Sequence, residues 1–279
     1  MKLANLAIIM LMCSLISSAC HNITEYNIDA LGDIPGTIIE MVDITSDTAK
    51  APEDISGWPE TDAFVNNEPE LNLGPEYGEP GFEPLVPLTE RADDAFFDDA
   101  LFFGDSQILC LKNYQTIKNA EYLGISGMNT YRALTGTLKE LNDMYVEDFL
   151  TLYSHKKLYI LLGQNDLEMF EVPRFIKYYT ELIERIKEKN PEKTLFIISV
   201  FPVIKDYFYG MFDNVSINES NDALYEMCHN LGLYYVNLWE ALADDELCLE
   251  SSYASKDGVH LRVAGCQAVS EYLYTHYVN

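Results

Sequence analysis

Over the last two-thirds of the chain, short apolar runs alternate with longer amphipathic stretches. Ala100-Leu101-Phe102-Phe103, closed by Gly104, reads as a buried parallel strand. Tyr122–Ile125, Leu158–Leu162, Thr194–Val200 and Tyr234–Leu238 repeat the pattern. Helices are predicted between them, from Gln107 to Ile117, Tyr131 to Tyr153, Pro173 to Lys189 and Glu219 to Leu231. A last helix is predicted from Val263 to Val278. Pro173 at a first turn and Pro191 just past an end suit the limits of the third helix. Gly232 stands where a C-terminal cap belongs. Five strands with intervening helices predict a three-layer α/β/α sandwich around a five-stranded parallel sheet. In such sheets ligands bind beyond the carboxyl ends of the strands, so residues there carry the interest.

The N-terminal third has no such rhythm. From His21 to Arg91 the chain is rich in Pro, Gly, Asp, Glu, Asn and Thr, and Lys50 and Arg91 are its only Lys or Arg residues. Segments such as Asn67-Glu68-Pro69-Glu70 bury too little apolar surface to offset their ordering entropy. Residues 21–92 are therefore expected to form an acidic, mostly disordered tether before a domain spanning 93–279, with Ile38-Ile39 and Phe82 as local docking patches. Residues 1–20 read as an export signal: Lys2, an apolar run from Leu6 to Ile16, then Ser17-Ser18-Ala19 before Cys20. That ending resembles a bacterial lipobox and makes Cys20 a candidate lipidation site, although Ser17 stands where Leu is usual. An extracytoplasmic location follows, as a membrane-anchored lipoprotein or a secreted protein.

Charge narrows the partners. The 279 residues carry 18 Lys+Arg against 45 Asp+Glu, a net charge of −27, which excludes a basic footprint for nucleic acid. It also disfavours electrostatic binding to an anionic membrane surface and suits a neutral substrate. Cys110, Cys228, Cys248 and Cys266 remain for the globular part, and no Cys or His cluster has zinc spacing, so no metal or cofactor is implied.

Four marks lie just past predicted strand ends. They are Gly104-Asp105-Ser106, Ser126-Gly127-Met128-Asn129, Gly163-Gln164-Asn165-Asp166 and Asp257-Gly258-Val259-His260. A serine at a strand-to-helix turn projects its hydroxyl from the sheet edge, beside a helix dipole that favours developing negative charge. Such a hydroxyl needs a base, and His260 supplies one. Asp257, three residues earlier, can accept the other imidazole N–H and fix the tautomer. Each residue alone has an ordinary structural role, as Ser106 a helix cap, His260 a surface histidine and Asp257-Gly258 a turn. Asp105 reads as a residue that bonds loop amides.

Together, in this order and spacing, the four marks resemble the blocks of the SGNH/GDSL hydrolase family. The resemblance covers about the last two-thirds of the chain. It implies a flavodoxin-like sheet and an ester hydrolase in which Ser106, Asp257 and His260 are catalytic. It further implies an oxyanion hole from the backbone N–H of Ser106, the backbone N–H of Gly127 and the side-chain amide of Asn165. Gly127 is preferred to Gly124, which reads as a strand glycine. Bacterial relatives often continue after the serine with Arg-Thr-Val-Gly, whereas Gln107-Ile108-Leu109-Cys110 stands here. The expected activity is removal of acetyl or another short acyl group from an extracellular or cell-wall glycan or a small-molecule ester. A surface O-acyltransferase, a lysophospholipase-type lipid esterase and a catalytically silent binding protein are the alternatives. No Gly-x-Ser-x-Gly elbow is present, which argues against an α/β-hydrolase.

Overall fold

Strand β1 (Ala100–Gly104) is buried along its whole length, as its unbroken apolar run requires. It lies between β2 (Glu121–Gly124) and β3 (Lys157–Leu161), and β4 (Thr194–Ile198) and β5 (Tyr234–Val236) follow. All pairings are parallel and the order is β2-β1-β3-β4-β5. The computed structural model describes residues 81–207 and 210–278. The expected export signal, Cys20, Tyr209 and most of the expected tether lie outside the described residues.

The two sheet faces bury alternate residues of the same strands. One face, with Leu101, Phe103, Leu158, Ile160 and Ile197, packs on α5 (Val172–Lys189) and α6 (Asn214–Leu231). The other, with Phe102, Tyr159, Phe196 and Val236, packs on α1 (Ser106–Tyr114) and α8 (Val263–Thr275). On that second face the strands present one aromatic each in register. Tyr122, Phe102, Tyr159, Phe196 and Tyr234 stack with centroids 5.5, 4.6, 4.4 and 5.3 Å apart. Aromatic pairs add about 0.5–1.5 kcal/mol each beyond their burial, so this rib fixes strand register directly beneath the site.

All five expected strands are present, and three other expectations change. The single helix expected over Tyr131–Tyr153 is broken into α2 (Thr130–Thr135), α3 (Val146–Phe149) and two short 3-10 turns, Lys139–Leu141 and Leu150–Leu152. Gly136 is extended, and Asn142 and Asp143 take φ of 55° and 57°. Leu134, Leu138 and Leu141 are buried all the same, so the periodicity reported burial and not helix. Helix α6 starts at Asn214 and not Glu219, because Asp213 and Ser216 form a reciprocal capping box.

The domain boundary also moves. The ordered chain was expected from Asp93, yet Tyr235 N–H donates to Pro84 O at 2.7 Å and Val86 N–H to Tyr235 O at 3.0 Å. Ala92 N–H donates to Tyr274 O at 2.7 Å, and Val86 is buried. Residues from Pro84 onward therefore cover the open edge of β5, where unpaired backbone groups would otherwise stand. Cys110, Cys228, Cys248 and Cys266 are unbridged.

Candidate active site

The strand order reverses at β1, so the loops after β1 and β3 diverge and leave a crevice at their carboxyl ends. Asp105 leaves β1 and caps α1, its Oδ1 accepting from Gln107 N–H at 2.9 Å. Ser106 is the first helical residue, half-buried, and its N–H has no intrahelical acceptor. The loop after β5 brings His260 to it from 154 residues away, with Nε2 2.9 Å from Ser106 Oγ. His260 Nδ1 lies 2.9 Å from Asp257 Oδ2. A carboxylate can only accept, so Nδ1 carries the proton and Nε2 accepts from the serine hydroxyl.

The other carboxylate oxygen holds the loop itself. Asp257 Oδ1 accepts from Val259 N–H and His260 N–H, both at 2.9 Å, and from Ser255 Oγ at 2.7 Å. Burial alone would raise the Asp257 carboxyl, but these bonds and the one from His260 hold it well below the usual carboxylate range. The bond to Asp257 in turn raises the His260 imidazole against the opposing cost of desolvation.

Asn165 follows β3 in the short helix α4 (Gln164–Leu167). Its Nδ2 donates to Asp105 Oδ2 at 3.2 Å and to Met128 O at 3.0 Å. The same Met128 follows Gly127, so the side-chain amide and the Gly127 turn are joined. Gly127 has φ +66°, is exposed, and a Cβ there would meet nothing within 4 Å. Its N–H has no acceptor among the described residues. Gly124 differs, since a Cβ there would lie 2.8 Å from Leu109 N. It is the glycine that lets α1 approach β2, and Gly127 is the one that opens a corner beside Ser106's helix.

Two further carboxylates support this corner from below. Asp166 Oδ1 accepts from Thr130 N–H at 2.9 Å and from Thr130 Oγ, tying the loop after β3 to the start of α2. Burial pushes Asp166 up to about 7 and Asp105 up to about 6, and each bond donated to them works against that rise. Asp166 and Gln107 had no assigned part in the sequence reading. Asp166 closes the third marked block, and Gln107 stands out as a departure from related chains. Among the described residues no group of His, Cys, Asp and Glu could hold a metal ion.

The structure thus brings Ser106, Asp257 and His260 into one hydrogen-bonded line, with Asn165 bonded to Asp105, the residue before Ser106, and to Met128, the residue after Gly127. Fold and site together define an α/β/α ester hydrolase. The GDSL-like Lipase/Acylhydrolase family matches residues 104–268, more than half of the chain, and the chain belongs to that family. Among solved structures it is similar to a Streptococcus pneumonia protein provisionally named a platelet activating factor, at 24% identity and TM-score 0.52, over 63% of this chain and 81% of that one. It is also similar to a Bacteroides fragilis protein provisionally named an acylhydrolase, at 14% identity and TM-score 0.51, over 67% of this chain and 88% of that one. A GDSL-like lipase from Bacteroides thetaiotaomicron matches at 18% identity and TM-score 0.50, over 63% of this chain and 86% of that one. These likenesses concern the fold. No protein of curated function matches the chain.

Proposed function

We propose that the protein is an exported serine esterase that works through an acyl-enzyme on Ser106 and removes short acyl groups, acetyl above all, from extracellular glycans. The observation that carries the serine mechanism is the line of two 2.9 Å bonds from Asp257 through His260 to Ser106 Oγ. In the first half-reaction Ser106 Oγ bonds to the ester carbonyl carbon while its proton passes to His260 Nε2. The imidazolium that forms faces the ionised Asp257, which the loop amides keep deprotonated. Collapse of the tetrahedral intermediate breaks the bond to the alcohol, whose oxygen takes the proton back from Nε2. Water then repeats the sequence on the acyl-enzyme and frees the acid and Ser106.

The negative charge on the carbonyl oxygen needs donors aimed at it. Ser106 N–H and Gly127 N–H have no competing acceptor among the described residues. Asn165 spends both amide hydrogens at rest, one on a buried carboxylate and one on the neutral carbonyl of Met128. An oxyanion accepts roughly twice as strongly as a neutral carbonyl, so the hydrogen held by Met128 is the one to be recruited. Asp105 keeps the other and so holds the amide in its plane.

The glycan and acetyl parts rest on different support. A net charge of −27 disfavours anionic substrates, and the chain has Gln107 where related exported enzymes often carry an arginine. The export-signal-like start ending at Cys20 supports a place at the cell surface, with the acidic residues after Cys20 as a spacer before the catalytic domain. A lipid-ester reading draws on the exposed side chains of Met169 and Met211 near the Asn165 side of the crevice, Met169 Sδ lying 3.4 Å from Asn129 Nδ2. Hydrolysis rates across 4-nitrophenyl esters of rising chain length, alongside acetylated xylan and peptidoglycan, separate the two. A maximum at acetyl with release from a glycan supports the proposal. Preference for long chains with no glycan deacetylation replaces it by the lipid reading.

A further inference from the structure

Gln107, the residue after Ser106, is 1% exposed and is bonded to two separate strand-end loops. Its Nε2 donates to Gln164 Oε1 at 2.9 Å and to Val259 O at 3.0 Å. Gln164, also buried, sits immediately before Asn165 and passes the connection on, its Nε2 donating to Phe201 O at 3.4 Å. Two neutral amides therefore run beneath the crevice and join the segments that follow β1, β3, β4 and β5. Besides the His260–Ser106 bond that the reaction itself must break, Ser106's helix reaches the His260 loop through this amide and through Cys110, whose sulfur is bonded by the backbone of Leu261.

We infer that Gln107 is a positioning residue that fixes the His260 loop over Ser106 through the Val259 carbonyl. This rests on the reading of Ser106 as nucleophile and His260 as base. Val259 is gripped at both ends. Its N–H is held by Asp257 Oδ1 and its carbonyl by Gln107 Nε2, and His260 is the next residue. Asp257 and His260 are bonded to each other within the loop, so the loop keeps its internal shape without Gln107. What Gln107 supplies is a direct grip, from the residue next to Ser106, on the residue next to His260. A reacting pair misplaced by 1 Å loses about a hundredfold in rate, so such a tether acts on the chemistry without touching substrate.

The cost of this side chain argues in the same direction. Gln107 Oε1 is fully buried and finds no hydrogen-bond partner among the described residues. A methionine of similar shape would fill the same space without stranding a polar oxygen. A glutamine at this place is explained by its two donated bonds and not by packing.

The test is the rate at which a fluorophosphonate labels Ser106, measured with kcat, KM and thermal unfolding for wild type, Gln107→Met and Gln107→Glu. Gln107→Met is expected to slow labelling and kcat by about 10- to 100-fold with KM little changed, because binding is intact and placement is lost. Gln107→Glu adds a signature that packing cannot mimic. Protonated, the carboxylic acid can still donate to the Val259 carbonyl; ionised, it cannot. Its activity is expected to fall on the alkaline side, where wild type is flat. Labelling of a folded Gln107→Met at the wild-type rate, or an unchanged alkaline side in Gln107→Glu, would overturn the inference. If Gln107→Met does not fold, the alkaline limb of Gln107→Glu decides alone. Failure of wild type to label at Ser106 is a different outcome and removes the serine mechanism itself.

Discussion

The two ends of the same parallel sheet treat charge in opposite ways. At the amino end, Lys157 Nζ is bonded to Asp99 and to Phe96 O, at the start of β3. Lys193, just before β4, has a side chain 1% exposed and gives hydrogens to Tyr153 O and His155 O at 2.7 and 2.8 Å. His155 faces Glu121 at 3.6 Å. Both lysines are held by fixed backbone or carboxylate acceptors. At the carboxyl end, Asp105 and Asp166 are buried and pushed toward neutral pH, and Ser106 N–H and Gly127 N–H are left without acceptors. A histidine beside a carboxylate occurs at both ends, but only His260 has a serine on its far nitrogen. The chemistry lies in a serine hydroxyl and free backbone N–H groups set beside the histidine, and among the described residues that combination is found at the carboxyl end.

Substitutions at the two ends should therefore separate activity from stability. The largest effect belongs to Ser106→Ala, expected to cut ester hydrolysis by at least about 10⁴-fold with thermal unfolding unchanged. Asp257→Asn should cost on the order of 10³–10⁴-fold, because an amide cannot both accept from Nδ1–H and balance the imidazolium. Asn165→Ala should cost about 10²–10³-fold in kcat, the usual loss for one oxyanion donor. Lys193→Met at the amino end inverts the pattern. It strands two part-buried carbonyls and should lower stability by about 1–3 kcal/mol while leaving kcat in place, read by chemical denaturation and ester turnover. A loss of turnover in folded Lys193→Met would break the division between the two ends.

The smallest effect is a displacement on the pH axis. His260 works as a base only when neutral, and its bond to Asp257 raises its pKa above the ordinary value of about 6.5. Activity should rise with pH through that raised value, so the acid limb of kcat/KM lies above the one expected of a free imidazole. In Asp257→Asn the residual activity should titrate at lower pH. An acid limb that does not move between the two would separate His260 from Asp257.

Much of this comparison was legible in the sequence because parallel strands are written as continuous apolar runs. The order of the four marks alone places the chemistry at the carboxyl end of the sheet. Legibility failed where contacts are distant in sequence or where burial imitates periodicity. Leu134, Leu138 and Leu141 read as one helix face, yet they are buried from a meander in which Gly136, Asn142 and Asp143 break the helix. Pro84 and Val86 gave no periodic signal, since they pair with one edge strand and nothing else. Gln107 stood out only as a departure from related chains, and its partners Gln164 and Val259 lie 57 and 152 residues away. No local pattern encodes a bond of that span.

The central claim is that Ser106 carries the acyl group between the two half-reactions. Rapid acid quenching during turnover of an activated acetyl ester, followed by mass analysis of the digested protein, tests it directly. An acetyl adduct is expected on the peptide containing Ser106, formed at a rate no slower than turnover and absent in Ser106→Ala. Steady turnover with no adduct on that peptide, or with Ser106→Ala still active, would contradict it.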